Sequence, residues 1–222
     1  VFLVLPLFPA IMGTLNYLGN LEILDNGWYS LWSQHTIFSA SFFMPAQFGV
    51  FCAWQWRLEH TDHNWNSLMT APVPVRDLYW SKFLLAAGVA VLGQVCIGVL
   101  YLLSGQLAGV SGGLPLQLAG WMFFGALGGM AVCAVQLFLS LVIRSFAPPV
   151  ALGLVGGIAG LVMTSQGAGL YCPYSLLCLG MRANNPNLSL EVGPFVLACG
   201  VCIALFSFLT IRCMAGRDVT TG

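Results

Sequence analysis

Residues Leu116–Ile143 read LQLAGWMFFGALGGMAVCAVQLFLSLVI, a run without a single charged side chain. A membrane-crossing helix needs about 20 mostly apolar residues, so this stretch is long enough to span a bilayer alone. Its polar and apolar residues do not alternate, as they would along a strand of a membrane β-barrel. Working outward, five further apolar stretches appear: roughly Val1–Leu18, Gln34–Trp54, Trp80–Ser104, Pro148–Ser165 and Gly193–Ile211. The sequence therefore predicts an all-α integral membrane protein with six transmembrane helices, residues 1–222 forming one domain. Val1 stands inside an apolar run, so the reading also expects an incomplete N-terminus.

Composition agrees. Of the 222 residues, 59% are hydrophobic and 6% are charged, against roughly 25% charged in an average soluble domain. Seven basic and seven acidic side chains cannot coat a water-soluble globule of this size. Nucleic acid is excluded as a partner because there is no basic face. A polybasic peripheral protein would need excess positive charge, which is also missing. The 26 glycines fit, since Gly is commoner in membrane helices than in soluble ones.

Lys and Arg set the expected orientation. With the N-terminus in the cytoplasm, Arg57, Arg76, Lys82, Arg144, Arg212 and Arg217 fall inside and Arg182 outside, a positive-inside pattern. Both termini are then cytoplasmic, and Glu22–Trp32 lies outside. Glu22, Asp25 and Glu191 make the external face slightly acidic. Tyr17, Trp28, Tyr29 and Trp32 on one side, with Trp54, Trp56, Tyr79 and Trp80 on the other, are expected to form interfacial belts. Two connections are long, Gln55–Tyr79 inside and Gln166–Val192 outside, and such ordered loops often carry function.

Few residues offer chemistry. Cys199 and Cys202 share a helix face and read as packing, while Cys172 and Cys178 share the outer loop and could bridge. Glu59-His60-Thr61-Asp62-His63 matches neither common zinc-protease spacing and reads as a polar turn. An enzyme built on His60 and His63 is the weaker alternative, and neither metal ligands nor catalytic residues are expected. No ionisable residue falls deep in the six stretches, so an ion relay of the kind carriers use is not expected. Gln47, Gln94 and Gln136 are the main polar side chains at depth, either lining a cavity or joining helices. Gly153, Gly156, Gly157 and Gly160 form overlapping small-xxx-small patterns, a helix-packing face or a dimer seam.

The cytoplasmic loop is the most informative segment. Leu58, Trp65, Leu68 and Met69 recur at helical spacing among polar residues. Ala71-Pro72-Val73-Pro74 then stops the helix, because a residue before Pro is pushed away from helical geometry. The expectation is a short amphipathic helix and a stiff turn between the second and third spans.

Glu59, Trp65, Leu68, Pro72, Pro74, Arg76 and Lys82 together resemble the corresponding loop of type-2 ABC exporter permeases. More narrowly, they are similar to lantibiotic-immunity permease subunits, and Tyr171-Cys172-Pro173-Tyr174-Ser175 resembles the "PWSY"-like element of those proteins. The resemblance implies a permease whose coupling helix, with Met69 on its apolar stripe, docks into a cytoplasmic ABC ATPase subunit. ATP and Mg would bind that partner and no cofactor this chain, which has no G-x-x-x-x-G-K-[ST] loop. It further implies a second permease subunit, identical or homologous, a lantibiotic-like peptide substrate, and residence in a bacterial plasma membrane. Another amphiphile or drug is the alternative cargo. Gln166–Val192 would form short external helices capping the pathway.

Overall fold

The computed structural model describes residues 6–60 and 73–216, apart from the side chains of Leu58 and His60. All regular structure among them is helical. In order come α1 (Leu7–Gly19), α2 (Gly27–Phe38), a π-helical turn (Ser39–Phe43), α3 (Met44–His60), α4 (Val75–Leu107) and α5 (Leu118–Val142). There follow α6 (Ala147–Ser165), a 3-10 turn (Gly169–Tyr171), α7 (Pro173–Met181) and α8 (Val192–Ala215). Apolar backbone in lipid has to satisfy its own hydrogen bonds, which long helices do internally.

Five helices are long and apolar enough to cross a membrane: Gly27–Arg57, Val75–Leu107, Leu118–Val142, Ala147–Ser165 and Val192–Ala215. A sixth is not shown among the described residues. There α1 has 13 residues, about 20 Å of helix, which is short of a bilayer. It packs antiparallel to α2, with Thr14 Oγ1 2.9 Å from His35 Nε2 and Asn16 Nδ2 donating to Gln34 Oε1 at 2.6 Å.

Two boundaries differ from the sequence expectation. The second stretch begins at Gly27 rather than Gln34, because Trp28–His35 continues the helix. His35 therefore lies about two turns inside the helix and is 1% exposed, where no ionisable side chain was expected. The third stretch begins at Val75, with Pro74 at its N-cap, so the helix outruns the hydrocarbon core and reaches into the interface.

Pro45 explains the π-helical turn. A proline inside a helix has no N–H for the carbonyl four residues back and its ring crowds that carbonyl, here the carbonyl of Ser41. The helix widens over Ser39–Phe43, and the released Ser41 carbonyl lies against Gly157 of α6.

The bundle is built around α5, which packs on α3, α4, α7 and α8. α4 and α8 lie on its outer side and α6 packs on α3 and α7; the three present Leu84, Leu92, Val155, Ile158, Leu197 and Leu205 outward, as lipid-facing helices do.

The aromatic belts take a different form. Trp28 and Trp32 turn inward and are buried with Tyr101 and Trp121. The Trp32 ring stacks on Trp121 at 5.5 Å and meets Tyr101 edge-on at 5.0 Å. Their polar atoms are satisfied inside, Trp32 Nε1 donating to Met181 O at 2.9 Å and Tyr101 OH to Trp28 O at 2.8 Å. At the other end Trp56 and Tyr79 are fully buried, whereas Trp54 and Trp80 are exposed. Trp54 and Trp80 have the expected interfacial character, as does the half-buried Tyr29, whose hydroxyl donates to Gln117 Oε1 at 3.1 Å, whereas Tyr17 is buried.

All eight cysteines are free thiols. Cys172 caps α7 and Cys178 lies within it. Six residues of helix separate them by about 9 Å and turn them to different faces, beyond the reach of a disulfide.

Candidate functional site

Trp65, Leu68, Met69 and Pro72, and with them the expected amphipathic helix, lie outside the described residues, as does His63. Its two ends are described. Glu59 sits in the last turn of α3 and Lys82 in the second turn of α4. Antiparallel pairing of these helices sets Lys82 opposite Gln55 and Glu59, which are one helical turn apart.

The resulting junction is tight. Lys82 Nζ lies 2.6 Å from Glu59 Oε1, and the two side chains are 11% and 14% exposed. The same ammonium donates to Gln55 O at 2.9 Å and stands 4.8 Å from the Trp56 ring centre. Trp56 Nε1 donates to Leu137 O of α5 at 3.0 Å. Tyr79 OH, one turn before Lys82, shares a hydrogen bond with Ser207 Oγ of α8 at 2.6 Å. Both ends of the 61–72 segment are thus anchored to the bundle interior. A buried ion pair resists separation because either charge alone would be left in a low-dielectric site. Glu59 Oε2 and both amide atoms of Gln55 are buried without a hydrogen-bond partner among the described residues.

Pro74 and Arg76 stand apart from this junction. Both are exposed, Pro74 at the N-cap and Arg76 in the first turn of α4 beside Asp77. An acidic group there favours the helix N-terminus.

The three glutamines are buried but differ in role. Gln136, fully buried, joins three elements. With its amide oriented to satisfy every neighbour, Oε1 accepts from Tyr174 OH at 2.9 Å and from Gly153 N at 3.2 Å, while Nε2 donates to Pro149 O at 3.2 Å. Gln94 approaches Met44 Sδ at 3.9 Å and leaves Oε1 unpartnered among the described residues. Gln47 lines an apolar cavity of about 470 Å³ with Met12, Phe38, Phe42, Val50 and Leu154.

The glycines of α6 point to two neighbours within the chain. A Cβ at Gly153 would fall 2.5 Å from Pro45 O, and one at Gly157 would strike Ser41 O. One at Gly156 would fall 2.7 Å from the Tyr174 ring, and one at Gly160 2.7 Å from the Tyr174 carbonyl carbon. Each pair is spaced by four residues and so shares a face.

At the opposite end, Ser175 Oγ lies 2.6 Å from both Gly169 O and Cys172 O, which share its one proton, and fixes the start of α7. Arg182 ends that helix at φ 54°. Its Nη1 donates to Leu179 O at 2.8 Å and its Nε to Leu188 O at 3.0 Å. Burial holds the guanidinium below its usual pKa, and burial lifts the Cys178 thiol to about 12. Glu22, Asp25 and Glu191 are exposed.

Two features escaped the sequence reading. The Gln136–Tyr174 contact joins residues too far apart for any local pattern. His35 was legible, since no helix breaker separates Gly27 from Phe38. Among the described residues, no group of three or more His, Cys, Asp or Glu converges to hold a metal.

A family model described as "ABC-2 family transporter protein" matches residues 1–160. No curated protein and no solved structure matches the chain.

Proposed function

Because this chain belongs to the ABC-2 family of transporter proteins, a multi-pass membrane family of permeases, we propose that it is the membrane subunit of an ATP-driven exporter whose preferred cargo is a lantibiotic-like peptide. Membership implies an ABC ATPase partner, which would carry ATP and Mg. A second permease subunit, identical or homologous, completes the proposed assembly in a bacterial plasma membrane. In this reading α1 belongs to a sixth span and both termini are cytoplasmic. Trp65, Leu68 and Met69 then form the apolar stripe of a coupling helix, Pro72 and Pro74 stiffen its return, and Arg76 orients it on the ATPase.

The observation that carries the coupling role is the buried Lys82–Glu59 junction. It joins the end of α3 to the start of α4, and the neighbouring Trp56–Leu137 and Tyr79–Ser207 hydrogen bonds hold that pair to α5 and α8, so a push on the 61–72 segment would reach the bundle core. The apolar cavity beside Gln47 supports a second reading, an amphiphile or drug as cargo.

The test is to purify the chain with its ATPase and compare Trp65→Ala. Large aromatic anchors dominate docking energetics, so the substitution should cost about 2 kcal/mol, roughly 30-fold in affinity. Wild-type ATPase retention together with wild-type transport would refute the coupling role. Protection of cells against a cationic lanthionine peptide, compared with efflux of a hydrophobic dye, separates the two cargoes.

A further inference from the structure

A second cleft, of about 320 Å³, opens where the end of α3 meets the α5–α6 link. Arg57 and Arg144 line it, with Ser140, Ser145, Ile143 and Phe146. The size is at the low end for small-molecule sites, about 300–1,000 Å³, so it suits a headgroup rather than a whole amphiphile. No Asp or Glu lines it among the described residues, and the nearby Glu59 is committed to Lys82. Arg57 makes other interactions too, but a guanidinium has five donors.

Ser140 points to an acceptor ligand. A serine or threonine in a membrane helix ordinarily bonds a carbonyl about one turn back, as Thr164, Ser165 and Thr210 do here. Ser140 is 2% exposed, and its hydroxyl has no partner among the described residues. Two guanidiniums and a buried hydroxyl on one cleft match a phosphate, whose oxygens accept charged forks. The cleft sits where α3 and α5 end and α6 begins, the level of the headgroup layer. Ile143 and the exposed Phe146 add apolar surface to the lining.

We propose that this cleft binds the phosphate of an anionic phospholipid headgroup, held by Arg57, Arg144 and Ser140. The site depends only on the chain being a membrane protein, not on what it exports. The full chain is placed in phosphatidylcholine nanodiscs with or without phosphatidylglycerol. Bound phosphatidylglycerol is counted by native mass spectrometry, and melting temperature is read in parallel. Each basic group near anionic lipid contributes about 1 kcal/mol, so Arg144→Gln and Arg57→Gln should each weaken retention about fivefold. Ser140→Ala should weaken it less, and Arg212→Gln, at the same end but outside the cleft, should leave it unchanged. Inorganic phosphate and glycerol phosphate are added to phosphatidylcholine discs as the free-ligand arm. Stabilisation by these alone, equal retention in the cleft variants and wild type, or an equal loss with Arg212→Gln would each overturn the proposal.

Discussion

At Lys82 one ammonium serves three neighbours: the Glu59 carboxylate, the Gln55 carbonyl and the Trp56 ring. Removing one partner of a buried ion pair costs about 3–5 kcal/mol, while replacing both with neutral groups often costs little. Lys82→Met should therefore lower stability by about 3 kcal/mol, and the Glu59→Gln, Lys82→Met double variant by clearly less. Thermal unfolding of the four proteins in detergent measures this, and strictly additive losses would refute the coupling. Tyr174→Phe removes the hydroxyl facing Gln136 and should cost about 1 kcal/mol, read in the same assay. Charge made Glu59 and Lys82 conspicuous in the sequence. Their pairing was not legible, because it depends on the antiparallel register of α3 and α4.

α6 shows what a pattern in one element discloses and what it withholds. The four-residue spacing of Gly153/Gly157 and Gly156/Gly160 announced two close approaches. The neighbours came from elsewhere: a carbonyl released by Pro45 on one face and Tyr174 on the other. Gly157→Val should be strongly destabilising, by at least the 1–3 kcal/mol typical of overpacking, since the obstacle is backbone. Gly200→Ala, with nothing within 4 Å, should be neutral or stabilising by up to about 1 kcal/mol. Folded yield and melting temperature of the two variants distinguish a steric role from a general intolerance of α-carbon substituents. The start of α2 was misplaced for a related reason. Trp28, Tyr29 and Trp32 have an interfacial composition, and only the tertiary cluster with Tyr101 and Trp121 draws them inside.

On the scale of the whole molecule, apolar length and the rarity of charge made five long helices readable. The ends were less so, because helices such as α4 extend past the hydrocarbon. Orientation rests on where the basic residues fall. Single cysteines placed at Arg76 and at the exposed Asn185, just after Arg182, should therefore react with an impermeant reagent from opposite membrane sides, and labelling from one side would defeat the topology. The exposed Glu22, Asp25 and Glu191 are predicted to give a modest, salt-sensitive gain in capture of a cationic peptide. Charges more than about 8 Å away are largely screened at physiological salt. Neutralising all three should lower protection slightly at low salt and hardly at all at high salt.

The wide turn at Ser39–Phe43 adds a residue relative to an ordinary turn. An α-helix advances about 100° per residue, so the two halves of this span are out of angular phase by about one position. Trp32 and His35 on one half, and Phe48, Cys52 and Trp56 on the other, are all buried in the bundle with that offset present. Deleting one residue between 39 and 43 would leave a smooth rod with one half wound toward lipid. Across these five residues the chain is constrained in its count more than in its letters, and related chains should vary there by substitution and not by length.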